Sequence, residues 1–363
     1  DVYKRQELFT AIDPKTDNVL EALKLFKTLK DEFPDHIGSY GNLAIAISVT
    51  WDSPKAVYRF TGPQRQGKAI MPENLTTAED NFAYFVNTEG VMQGRLQFLP
   101  WEFLVHAANH TTPMPEREWA LQNYLPKRTM YGSCYKDVPY DHGMLESKGT
   151  TGRIHGKLYT LPNIRTFGGV CAHQADFAAR VGKSLGVPAS SVSGKSVYDE
   201  AHAWVMWVEL KSVTAQSIGF TLESYGRYRG DKYYVGGLKD PKTGDRITDR
   251  QLELHLHTVG LDPLAKRHAD RVMELYPLIC EHQSLDTVAQ FLFLRDVVRL
   301  CPGNQVAWQS LAKMSSDPVV QEKHKKDMLA ILTQLFTTFA NFPDFTLTVF
   351  DDLIQFETEA KQH

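Results

Sequence analysis

The apolar positions of this chain change period twice. From about Asn18 to Tyr124 they recur at helical spacing, punctuated by Pro34, Gly62-Pro63 and Pro72. Within that stretch Leu20, Leu23, Phe26 and Leu29 fall on one helical face. From about Met130 to Leu252 glycine, tyrosine and period-two alternation take over. Ala203-Trp-Val-Met-Trp-Val208, Gly219-Phe-Thr-Leu-Glu-Ser224 and Lys232-Tyr-Tyr-Val235 predict strands there. One helix is expected among them, from about Cys171 to Leu185, ended by Gly186 and Pro188. After Asp262-Pro263 helical spacing returns and runs to the end. The pattern predicts an α+β core over residues 126–255 between two helical arms, 7–125 and 256–363.

Each arm contains one joint that resembles a tetratricopeptide repeat. In the first, Ala22 and Phe26 lie four apart, Pro34 lies twelve after Ala22, and Tyr40 and Leu43 follow. In the second, Pro302 precedes Trp308 by six, and Leu311 and Ala312 complete a W-x-x-L-small pattern. No period of 34 connects the two, so isolated helical hairpins are expected, each a candidate surface for a protein partner.

Composition narrows the function classes. With 42% hydrophobic and 23% charged residues, the chain is not globally disordered. Lys and Arg number 40 against 43 Asp and Glu, a formal net charge of -3, so nothing in the charge points to nucleic acid. No apolar run approaches the roughly 18 residues of a membrane span. Asp1 is neither an initiator Met nor the start of a basic-then-apolar leader, so the chain is expected to begin mid-protein or after processing, which leaves its compartment open. Cys134, Cys171, Cys280 and Cys301 make neither a disulfide framework nor a C-x-x-C pair, and no structural zinc site is expected.

The chemistry concentrates in Phe167-Gly-Gly-Val-Cys-Ala-His-Gln-Ala-Asp176 and the helix that it opens. Two glycines before Cys171 suit a sharp turn, and a thiol at a helix start meets unsatisfied N–H groups and the positive end of the helix dipole. Both favour the thiolate, and the same N–H groups can stabilise an oxyanion. Ala175, Ala178, Ala179 and Gly182 give the helix a small-residue face that can lie close to a sheet. His202, 31 residues on, opens an apolar strand as Ala201-His-Ala-Trp204, with Trp204 and Met206 on its face. Glu223 lies on the next strand, where an imidazole or Arg227 or Arg229 would partner it.

The ordered set Gly-Val-Cys171 at a helix start, His202-Ala-Trp on a strand and an acid on the following strand resembles the transglutaminase-like superfamily. The resemblance covers about Leu161 to Lys242, and more broadly the middle segment, with Lys157-Leu-Tyr-Thr-Leu-Pro162 and Leu222-Glu-Ser-Tyr-Gly-Arg-Tyr228, is similar to uncharacterised bacterial members of that family. The resemblance implies a papain-like core with a Cys-His-Asp triad, in which Cys171 is the nucleophile and His202 the base. It departs from the family at the third position: Glu223 stands where Asp is usual, and an Asp-Pro pair comes later as Asp240-Pro241, in a segment that itself reads as a turn. Glu223 is the expected acid and Asp240 the alternative. The function expected is acyl transfer through a thioester, chiefly hydrolysis of an amide or peptide bond in a peptide or protein substrate, without metal or organic cofactor. The alternative is a weak or inactive core within a helical binding or scaffold protein.

Secondary candidates surround this set. Asn163 is a candidate oxyanion donor, and Trp204, Tyr225 and Tyr228 are candidate substrate contacts. The last two belong to an aromatic-basic run with Arg227, Arg229, Tyr233 and Tyr234. Cys134 is expected to be structural, His173 a weaker base than His202, and Gln174 a solvent or pocket-rim residue. His255-Leu-His257 would suit a metal only on a strand, and no third ligand accompanies it.

Overall fold

The computed structural model describes residues 2–54, 57–92, 95–227 and 234–354. The chain is α+β and divides into two compact units, residues 1–215 with 219–253, and 216–218 with 254–363. The expected N-terminal arm is therefore no separate body: helices Val19–Glu32, Gly41–Trp51, Trp101–Ala108 and Met114–Tyr124 belong to the unit that holds the sheet. Side chains tie the helix Ala78–Thr88 and the end of Trp101–Ala108 to the helix Cys171–Ser184. The Tyr84 hydroxyl donates to Ser184 O at 2.6 Å, and the Lys183 ammonium donates to His106 O and Asn109 Oδ1. The expected stripe on Val19–Glu32 is also rotated. Ala22, Phe26 and Leu29 are buried, while Leu20 is 60% exposed.

Five strands form one antiparallel sheet: β1 (Ala189–Ser196), β2 (Ala201–Val213), β3 (Ile218–Tyr225), β4 (Tyr234–Lys239) and β5 (Arg246–Thr248), in the order β3-β2-β1-β4-β5. β1 and β2 form a hairpin with Ser191 opposite Val205 and Ser193 opposite Ala203. The third expected strand begins among residues outside those described, and its described part is β4.

The central helix runs Cys171–Ser184, close to its expected span. Gly168 (φ 79°) precedes it, and a side chain there would strike the Pro139 carbonyl oxygen. At the other end Gly186 (φ 73°) reverses the chain, and Val187 N–H returns to Gly182 O at 2.9 Å. The small-residue face packs as expected: Ala175, Ala178 and Ala179 share one core with Ala189, Ala203 and Val205 of the sheet, and a Cβ on Gly182 would touch the Tyr131 ring at 2.7 Å. That contact fixes which face of β2 meets the helix. Ala203, Val205 and Trp207 point at it, and by period-two alternation His202, Trp204 and Met206 point away.

The second unit is helical, with Pro263–His282, Thr287–Leu300, Gln305–Met314, Pro318–Thr338 and Pro343–Leu353. Its core gathers Phe291, Leu294, Trp308, Leu311, Ala312 and Phe339, so the W-x-x-L-small residues are buried together. His255 and His257 lie on the helix Asp249–Leu261, where residues two apart do not face each other, so the strand arrangement a metal would need does not form. Among the described residues no helix is long and apolar enough to cross a membrane.

Candidate active site

Cys171 is the first residue of the central helix, and Val170 before it is extended (φ −88°, ψ 180°). The Val170 N–H donates to His173 Nδ1 at 3.3 Å, which satisfies one of the helix's orphan donors and locks the His173 ring beneath Gly169. His173 is fully buried, and burial lowers its pKa to about 4. It caps the helix. Gln174 is buried as well, its amide donating to Val138 O at 2.9 Å, so it does not form the expected rim.

The Cys171 sulfur is half-buried and faces three backbone N–H groups, those of Ala203, Ala172 and Cys171 itself. These favour the thiolate, but burial outweighs them and the thiol is pushed up from its ordinary value. Ala203 turns its carbonyl the same way as its N–H, and that oxygen accepts from the Tyr135 hydroxyl at 2.9 Å. Both groups point away from β1, toward Cys171 and Tyr135. Tyr135 also lies against Gly226 (φ 86°), just past the end of β3, where a Cβ would meet the ring at 2.7 Å. Tyr135 thus lies against both Ala203 and Gly226.

His202 lies on the other face of β2 and meets the same Gly226. Its Nε2 lies 2.6 Å from Gly226 O, and its ring stacks on Trp204 at 6.1 Å between centroids. A carbonyl only accepts, so Nε2 carries the proton and Nδ1, next to the strand backbone, is the basic nitrogen of the neutral ring. Burial lowers the His202 pKa, which keeps the ring neutral.

The expected acids are placed elsewhere. Glu223 accepts from the Thr221 hydroxyl at 3.0 Å, and alternation puts it on the face of Tyr225, whose ring lies 6.1 Å from that of Tyr135 on the helix side. Asp240 closes the β4–β5 turn, taking Lys242 N–H at 2.8 Å and Thr243 N–H at 2.9 Å on one oxygen. The carboxylate near His202's face is Asp249. It pairs with Arg227 at 3.0 Å, and that guanidinium lies over the Trp204 ring at 5.4 Å. Arg227 therefore answers Asp249, not Glu223.

The remaining candidates also sort by placement. Trp204 is 0% exposed and cannot line a groove; it fills the space between His202 and Arg227. Asn163 donates to Leu158 O at 2.9 Å, and Tyr225 takes the Lys136 ammonium over its ring, so both are engaged locally. Tyr228, like Arg229 and Tyr233, lies outside the described residues. Cys134 is buried, which raises its thiol well above the ordinary range, as suits a structural residue.

A cleft of about 500 Å³ is lined by Ala172 and Ala203, by Ser191, Ser193 and Lys239 of the sheet, and by a wall over Tyr58 to Pro63; Cys171 itself is not among its lining residues. Sequence reasoning missed that wall, because it lies more than a hundred residues before Cys171 and carries no local motif. It also missed what fastens the helix beneath. Arg180 Nη2 meets Glu116 Oε2 at 2.5 Å, Asp176 Oδ2 lies 3.7 Å from Arg180 Nη1, and the Tyr58 hydroxyl donates to Asp176. Asp176 and Arg180, opposite charges four apart on a helix with an alanine-rich face, were the available signal.

No family model matches the chain, no curated protein matches it, and no solved structure matches it.

Proposed function

We propose that the chain is a cysteine-dependent acyl-transfer enzyme of the transglutaminase-like kind, acting as an amide or peptide hydrolase through a thioester. One observation carries this reading: a half-buried sulfur at a helix N-terminus, near the backbone N–H groups of Ala172 and Ala203, two residues that also line a cleft. On this reading His202 Nδ1 is the base that takes the Cys171 proton, and Sγ attacks the substrate carbonyl carbon. The N–H groups of Ala172 and Ala203, no longer drawn to the sulfur, receive the oxyanion. His202 returns the proton to the leaving amine, and water then cleaves the thioester. Gly226 O holds the imidazole tautomer, the work usually given to a carboxylate, so the reading does not call on Glu223 or Asp240. A single cleft suffices for hydrolysis, whereas amine transfer needs room for a second substrate.

The test is amine release from a panel of peptides by the wild-type chain and by Cys171→Ala, with unfolding measured on both. Loss of turnover at unchanged stability is expected. Turnover that survives in Cys171→Ala contradicts covalent catalysis by this residue.

A second reading, a binding protein whose core no longer turns over, draws on the raised thiol pKa and on the placement of the imidazole across the strand from the sulfur. It expects peptide binding without turnover and equally slow labelling of all four cysteines.

A further inference from the structure

The cleft lined by Ala172 and Ala203 shares Tyr58, Ser191 and Lys239 with a second, smaller chamber of about 50 Å³ that also reaches Asn109 and Lys183. That volume exceeds what one water needs. Arg59 and Lys239 line the cleft, Lys183 and Lys239 line the chamber, and none of the described residues lining either is acidic. The acids of this interior are committed behind the wall, where Asp176 and Glu116 face Arg180.

Lys183 is the telling residue. It is 2% exposed, and the two acceptors that its ammonium takes, His106 O and Asn109 Oδ1, are neutral. A buried ammonium without a carboxylate partner is costly, and burial together with Arg117 draws its pKa down to about 7. An anion entering the chamber would reverse that cost.

Resting on the acyl-transfer reading for its role, we infer that the cleft takes an acyl donor with a carboxylate close to the scissile carbonyl, an acidic peptide whose side chain enters the chamber toward Lys183 and Lys239. Arg59 at the cleft wall favours the same charge, and a basic peptide meets three like charges.

Binding can be measured apart from chemistry. Fluorescence anisotropy on Cys171→Ala compares a labelled hexapeptide with two central Glu against its Gln twin. The acidic peptide is expected to bind about tenfold more tightly at low ionic strength, with the preference shrinking as salt rises. The double variant Arg59→Glu/Lys239→Glu, at two exposed positions, should remove or invert the preference, and Lys183→Met should weaken it. Equal affinities, or a preference that survives the double reversal, overturn the inference whether or not Lys183→Met folds. Alkylation of Cys171 by neutral iodoacetamide reports separately on the catalytic reading, so the two fail independently.

Discussion

His202 Nε2 lies 2.6 Å from the carbonyl oxygen of Gly226, and this bond makes the imidazole both a structural strut and a base in waiting. The two roles separate by substitution. In His202→Gln an amide N–H can still reach Gly226 O, but no group can accept the thiol proton at neutral pH. Denaturant unfolding should place this variant within about 1 kcal/mol of wild type, while turnover falls by about 10²-fold or more. Turnover near the wild-type rate would show that the ring serves the fold alone.

Arg180 is the largest test of the interior. It is 0% exposed and holds Glu116 at 2.5 Å, while Glu116 also accepts the Leu161 N–H at 2.6 Å. Arg180→Met leaves two buried carboxylates without their cation and should destabilise by about 3–5 kcal/mol in urea. The double variant Arg180→Met/Glu116→Gln removes one of those charges and should regain part of the loss. A single variant as stable as wild type would mean that the Arg180 cation does not hold these acids in place.

His173 ties stability to pH. Its ordinary pKa of 6.5 falls to about 4 in the folded chain, so between these values the unfolded state holds a proton that the folded state lacks. Stability from this residue is complete above pH 6.5 and is lost as the pH falls toward 4, by about 3 kcal/mol at most. In His173→Gln that component vanishes. Unfolding free energies of the two proteins, compared from pH 4 to 7, should converge as the pH falls. Parallel curves would refute the burial argument.

The central helix was legible because its punctuation is local: Gly168-Gly169 before Cys171, Gly186-Val-Pro188 after Leu185, and small residues along one face. β2 was legible from its apolar run. β1, Ala-Ser-Ser-Val-Ser-Gly-Lys-Ser196, was not, since it lacks apolar alternation and becomes a strand through its ladder with β2. The order of Cys171 and His202 along the chain was readable, but the face of the strand was decided by packing, with Ala203 and Val205 against the helix. The acid illustrates the same limit: Glu223 and Asp240 suit a sequence pattern, yet turn geometry claims one and a neighbouring hydroxyl the other. Leu20 shows it in miniature, since a helical stripe fixes spacing but not which of two adjacent stripes faces inward.

The most direct measurement is the pH dependence of iodoacetamide alkylation, mapped by mass spectrometry to each of the four cysteines, in wild type and in His202→Ala. Burial alone holds the Cys171 thiol above its ordinary range, so without a base it should react only as the solution becomes alkaline. Proton transfer to His202 predicts fast labelling of Cys171 near neutral pH, ahead of Cys134, Cys280 and Cys301, and a shift of that reactivity to alkaline pH in His202→Ala. A wild-type profile that already climbs only in the alkaline range, unchanged by the substitution, would contradict the pairing of thiol and imidazole on which the enzymatic account stands.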